Sequence, residues 1–174
     1  MKLLENESIR LRALEPEDLE FLYKWENDTT LWEYGNTLTP FSRFVLRQYL
    51  ENATLDIFEA KQVRLIIEDK ASGKPAGTID LYDFEPYHNR AGIGILIDED
   101  FQRKGYATMA LELMKEYAFQ FLKLDQIYSF IPLLNVPSIH LFRKCLFSEA
   151  GCLRKWNKTT EGAEDVFIYQ CFRE

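Results

Sequence analysis

Histidine and cysteine are scarce in this sequence, with only two of the first and three of the second. Cys145, Cys152 and Cys171 are odd in number and match no metal-ligand spacing, and His88 and His140 are the only imidazoles beside them. A structural zinc or a disulfide framework is therefore not expected. The cysteines read either as small buried hydrophobes or as a reactive thiol. No apolar run approaches the roughly 18 residues a membrane helix needs. The opening Met1 to Glu7 turns acidic too early for a secretory leader, so a cytoplasmic protein without a membrane partner is expected. A basic excess is also missing: 21 Lys and Arg face 28 Asp and Glu, for a net charge of -7. That disfavours a general nucleic-acid binder. It leaves the acidity to serve solubility or to steer cationic substrates. Finally, neither G-x-G-x-x-G nor G-x-x-x-x-G-K-[ST] occurs.

What is present is a 174-residue chain that is 47% hydrophobic and 14% aromatic, enough for one domain over residues 1–174 with a sizeable core. Alternation predicts a strand at Ile9 to Ala13. Helical spacing follows after Pro16 through Leu19, Leu22, Tyr23 and Glu26. A second helical pattern covers Pro40 to Asn52, with Ser42 as its cap and Phe44, Val45, Gln48 and Tyr49 in the periodic positions. Strands are expected at Val63 to Glu68, Gly77 to Phe84 and Arg90 to Ile97, the last with Gly92 and Gly94 marking a bulge or a close backbone approach. The strongest helix runs from Ala107 to Leu122, with Ala110, Leu111, Met114, Tyr117, Ala118 and Phe121 on its apolar face. A strand at Gln126 to Ile131, a short helix from Asn135 to Lys144 and strands near Ser148 to Trp156 and Asp165 to Phe172 complete the order. This is an α/β or α+β domain on a mixed sheet. A doubly wound dinucleotide fold would alternate strand and helix regularly.

The run Gln102-Arg103-Lys104-Gly105-Tyr106-Ala107-Thr108 lies between an apolar strand and the strongest helix. A strand-turn-helix joint with a glycine and two cations can hold a diphosphate on backbone N–H groups, so a phosphate-bearing cofactor is expected there.

With that order and that joint in place, the chain resembles the GNAT N-acetyltransferases over nearly its whole length. Gln102 to Ala107 is similar to the family's [QR]-x-x-G-x-[GA] motif. Asn135-Val136-Pro137-Ser138 through Phe142 and Lys144 looks like its helix after the fifth strand, Asn-x-x-[SA]-x-x-x-[YF]-x-K. Ile9-Arg10-Leu11-Arg12 with Glu17-Asp18 resembles the branch that includes spermidine and ribosomal-protein acetyltransferases. The resemblance implies a mostly antiparallel mixed sheet with about four helices and splayed fourth and fifth strands. It implies acetyl-CoA as cofactor, with coenzyme A as product. The diphosphate would lie on the amides from Arg103 to Thr108 and the pantetheine arm along Ile95, Leu96 and Ile97. Gln102, Asn135, Ser138, Phe142 and Lys144 complete the cofactor residues.

The implied reaction moves acetyl directly from the thioester to a primary amine. A backbone N–H of Leu96 or Ile97 would hold the oxyanion. Asp80, Asp83 and Glu85 are candidate bases. Phe142 occupies the place where many members have an acidic tyrosine, so Tyr106 or an ordered water becomes the candidate acid. Phe142 itself is then expected to pack against the pantetheine arm. Cys145-Leu146-Phe147 stands where members have Leu-Gly-Phe, which puts a left-handed backbone cost on Leu146 if its φ is positive. For the acceptor, Gly92 stands where spermidine relatives carry a glutamate, and Leu31 to Asn36 holds one carboxylate, Glu33. Trp32, Glu33, Tyr34 and Tyr82 are the expected acceptor residues, with Trp25 and Phe41 readable as slot or core. The acceptor is then a small cationic amine, a polyamine or a protein N-terminus, and a homodimer is compatible with the exposed aromatics near Trp32. The competing reading is an acyl-CoA sensor with little turnover, which Phe142 favours.

Overall fold

The structure is a computed structural model, and it describes residues 3–35 and 37–174. Asn36, part of the segment read as an acceptor region, lies outside the described residues. Seven strands form one sheet in the order β1-β2-β3-β4-β5-β7-β6. They are β1 (Ile9–Arg12), β2 (Val63–Asp69), β3 (Pro75–Glu85), β4 (Arg90–Ile97), β5 (Gln126–Pro132), β6 (Ser148–Thr159) and β7 (Gly162–Phe172). Among the described residues, four helices of eight or more residues flank it: α1 (Leu19–Glu26), α3 (Arg43–Asn52), α5 (Tyr106–Glu116) and α6 (Val136–Lys144). Two four-residue helices, α2 (Thr29–Trp32) and α4 (Ile57–Ala60), sit in the connections.

Strand alternation sends side chains to two layers. On one face Ile67, Ile79, Leu81, Ile93 and Ile127 bury against Leu111, Met114 and Ala118 of the α5 segment, and Ile139 and Phe142 of α6 join them. On the other, Ile66 meets Leu22 and Trp25 of α1 and Leu46 of α3, with Leu96 packed beside them. Trp25 is thus a core residue at 5% exposure, and Phe41 is half-buried against the same cluster.

All strand pairs are antiparallel except β4 with β5. That parallel pairing is short, running from Arg90↔Gln126 to Gly92↔Tyr128. Beyond it β4 stays on β3 as far as Ile97, whereas β5 stays on β7 as far as Pro132. The edge of β4 from Ile93 to Ile97 therefore has no strand beside it among the described residues.

Several helix faces differ from the sequence expectation. Ser42 caps α3 through Val45 N–H at 3.2 Å as expected, but Phe44 and Val45 are 64% and 45% exposed and Leu46 points inward. Tyr117–Phe121 adopts a π-helical turn closed by Leu122 N–H to the Tyr117 carbonyl at 3.0 Å. The wider turn advances the face, so Phe119 is buried while Phe121 lies outside, stacked on Tyr117. Gly92 and Gly94 form no bulge. The bulge lies on β3, where Asp83 and Phe84 oppose Ala91 alone and Asp83 has φ 48°. Cys145 and Cys171 are buried, but Cys152 is exposed. Burial pushes the Cys145 thiol up to about 12, which keeps it unreactive. Among the described residues no helix is long and apolar enough to cross a membrane.

Candidate active site

The α5 N-terminus follows directly from the sequence of its entry. Gly105 is the N-cap with φ 79°, a left-handed conformation that glycine adopts without steric cost. It has no side chain to cap the helix, and the first intrahelical bond recorded there is Met109 N–H to the Gly105 carbonyl at 3.1 Å. The amides of the first turn are left to solvent or to a ligand. Gln102, Arg103, Lys104 and Gly105 are exposed around them, and Ala107 and Thr108 are half-buried in the first turn. Uncapped donors, a helix dipole and two exposed cations fit an anionic diphosphate. Gln102 Nε2 reaches the Ile97 carbonyl at 3.5 Å, linking this turn to the unpaired end of β4.

Asp98, at the end of β4, is a residue that the sequence reading missed. It is 6% exposed and accepts from Trp25 Nε1 at 2.7 Å and Lys24 Nζ at 2.9 Å. Burial alone would lift its carboxyl, but those two donors outweigh it and hold it below the usual range. Its position before the helical turn Glu99–Phe101 was legible as a cap; its partners 73 and 74 residues away were not.

Tyr106 donates its hydroxyl to Asp69 Oδ1 at 2.7 Å, and Ser72 N–H donates to Asp69 Oδ2 at 3.0 Å. The candidate acid is thus committed to the β2–β3 turn. Ile95 and Ile97 pack toward α5, and Leu96 faces α1 and α3. On α6, Asn135 Oδ1 accepts from Ser138 N–H at 3.3 Å, so the asparagine caps the helix. Lys144 is exposed in its last turn, and His140 is exposed on its outer side. Phe142 is 2% exposed and meets Phe147 edge-on at 4.9 Å. Phe147 N–H to the Phe142 carbonyl and Leu146 N–H to the Arg143 carbonyl close a Schellman motif, with Leu146 at φ 66°.

The other face of β3 and β4 carries the polar groups. Asp80 pairs with Arg64, whose second guanidinium nitrogen lies 3.2 Å from Asp80 Oδ2. The same guanidinium bonds Glu26 of α1 and lies 5.6 Å from the Tyr49 ring. Burial lifts the Asp80 carboxyl above its ordinary value although Arg64 pulls the other way. Asp80 stands opposite Gly94 and Tyr82 opposite Gly92, at the point where β4 loses β5. A Cβ on Gly92 would lie 2.8 Å from Tyr82 Cδ2 and closer still to Cε2 and Cζ. The Tyr82 ring therefore fills the space above that glycine, edge-on to Tyr128 at 6.4 Å. Trp32 donates Nε1 to the Glu26 carbonyl at 2.9 Å, which brings it to the α1 end of this cluster. Glu33 and Tyr34 are exposed beyond it. Glu85 pairs with Arg90 at 3.0 Å on the closed side of the splay, beside an open concavity of about 250 Å³ that Tyr128 and Phe130 also line. Asp83 is exposed on the bulge, and His88 is an exposed turn residue against Tyr87.

An opened β4 edge, an uncapped glycine N-terminus of α5 beyond it and an acidic face beside it have the chemistry an acyl-CoA ligand would need. The family model described as the acetyltransferase (GNAT) domain matches residues 8–148, and the chain belongs to that family. It is an N-acetyltransferase with acetyl-CoA as donor. It is 32% identical over 144 residues to the spermidine N(1)-acetyltransferase of Escherichia coli K12, covering 83% of this chain and 75% of that one. Its structure superposes on the Vibrio cholerae spermidine N-acetyltransferase in complex with CoA and spermine, with a TM-score of 0.87 and 26% identity over 97% of each chain. A dodecameric structure of the Vibrio cholerae enzyme superposes with a TM-score of 0.80 and 27% identity, covering 97% of this chain and 95% of that one.

Proposed function

We propose that residues 1–174 act as one domain in the cytoplasm, transferring acetyl to a primary amine of a small polycation of the spermidine class. The observation that carries the acceptor class is the Glu26–Arg64–Asp80 cluster. Two carboxylates share one guanidinium opposite Gly94, which leaves an excess negative charge facing the opened strand edge. The 32% identity to a spermidine acetyltransferase points the same way. Gly92 stands where those relatives are expected to carry a glutamate, and Asp80 and Glu26 supply acidity from the neighbouring strand and helix instead. The net charge of -7 adds long-range attraction for a polycation.

In this reading the α5 amides from Tyr106 to Thr108, with Arg103, Lys104 and Gln102, hold the diphosphate. Ile95, Leu96 and Ile97 line the arm of the donor, with Leu96 or Ile97 N–H aimed at the carbonyl oxygen. Ser138, Asn135 and Lys144 support the far side from α6. Asp80 is the favoured base, because its lifted pKa brings it nearer to the working pH. Glu85 ranks second because it lies with Arg90 on the closed side of the splay, away from the open β4 edge. Trp32, Glu33, Tyr34 and Tyr82 border the acceptor. The protein assembles from several copies, as the dodecameric neighbour does.

Thiol release from acetyl-CoA, measured against a panel of spermidine, spermine, simple monoamines and peptides with free N-termini, tests the acceptor. The expected result is the highest kcat/KM for the polyamines. A preference for peptides would move the acceptor to a protein terminus. Binding of acetyl-CoA with no turnover of any amine would favour the sensor.

A further inference from the structure

Tyr82 is a polar side chain at the splay that has no assigned reaction step. It projects from β3 opposite Gly92, the last residue of β4 that β5 still pairs. Its ring covers the glycine, so the hydroxyl extends across the mouth of the splay toward β5. There its ring meets the Tyr128 ring edge-on at 6.4 Å. Phe142 has no proton and is locked against Phe147, and the Tyr106 hydroxyl is spent on Asp69.

Building on the transferase reading, we propose that the Tyr82 hydroxyl is the hydrogen-bond donor that stabilises the departing thiolate. In the step it serves, the amine nitrogen bonds to the thioester carbonyl carbon. The C–S bond breaks with its electron pair going to sulfur, and the proton lost by the nitrogen passes to Asp80 and from there to solvent. Tyr82 lends a hydrogen bond to the sulfur and keeps its proton. Burial, together with Tyr128, Asp83 and Asp80 facing the ring, lifts the phenol well above its ordinary range, and the Phe130 amide only partly offsets this. A donor held protonated at every working pH suits this role.

The test compares the full-length wild type, Tyr82→Phe and a form with 3,5-difluorotyrosine at position 82, using acetyl-CoA and spermidine. Tyr82→Phe keeps the ring over Gly92, and its kcat is expected to fall at least about ten-fold with KM for acetyl-CoA unchanged. Fluorination makes the phenol a stronger hydrogen-bond donor, so the fluorinated enzyme is expected to keep at least the wild-type kcat that Tyr82→Phe loses. A wild-type kcat in Tyr82→Phe, or a rise in acceptor KM alone, overturns the proposal. A fluorinated enzyme as slow as Tyr82→Phe overturns it as well. A wild type that binds acetyl-CoA yet releases no thiol with any amine would instead overturn the transferase reading on which the proposal rests.

Discussion

Leu146 holds a φ of 66° with its side chain 73% exposed, at the position after the α6 C-cap where glycine is the unstrained residue. The side chain gains little burial to offset a left-handed backbone. Leu146→Gly is therefore expected to stabilise the protein by about 1 kcal/mol, the scale of the αL penalty. Urea unfolding measures it; an unchanged or lower midpoint would show that the Schellman turn is relaxed as it stands. Gly92 presents the opposite case. Gly92→Ala drives a methyl into the Tyr82 ring, and displacement of that ring is expected to lower kcat while the fold persists. Gly92→Ala with wild-type kcat would show that the ring position carries no function.

At the scale of elements, one buried carboxylate ties α1 to the end of β4. Trp25→Phe keeps the apolar packing but removes the indole donor to Asp98, leaving Lys24 to satisfy that oxygen. The expected cost is about 1–3 kcal/mol, read as a lowered unfolding midpoint; a change within about 0.5 kcal/mol would mean that Lys24 alone suffices. Elements of this kind were legible in proportion to how local their cause is. The Ser42 and Asn135 caps and the glycine entry of α5 are set within a few residues, and each appears where the sequence placed it. The α3 face was misread because Leu46 is chosen by contact with Trp25 and Ile66, not by spacing within the helix. Phe121 was misread because a π turn breaks the 3.6-residue period on which the expectation rested. The Asp98 node and the Glu26–Arg64–Asp80 cluster join segments that meet only after the sheet closes, and no short-range pattern encodes them.

For the whole molecule, charge sets the response to pH and salt. The Asp69 carboxyl is held below its ordinary range by hydrogen bonds from Ser72 and Tyr106. Glu68 is held low because Arg12 and Arg10 outweigh its burial, and Asp98 is low for the reason given above. A depressed folded pKa gives stability that is complete above the unfolded carboxylate value, roughly 4, and is lost as pH falls through the folded values. Stability is accordingly expected to be flat near neutrality and to drop below about pH 4. Asp80 works in the other sense: its raised pKa means that protonation favours the folded state, which makes the acid loss shallower. Thermal midpoints between pH 3 and 7 measure the sum. Stability that rises steadily into acid would contradict the ion-pair account. Added salt is expected to raise KM for a polyamine, because it screens the attraction of a chain with net charge -7.

The same scale holds the most direct test of the account, whose centre is the seat of the donor on the glycine entry of α5. Calorimetric titration of acetyl-CoA into the wild type and into Gly105→Glu reads that seat alone. The glutamate would strain a backbone at φ 79° and set a carboxylate among the exposed amides. Affinity is expected to fall at least about 100-fold, or roughly 2.7 kcal/mol, with the fold intact by circular dichroism. Equal affinity in the two proteins would contradict the account.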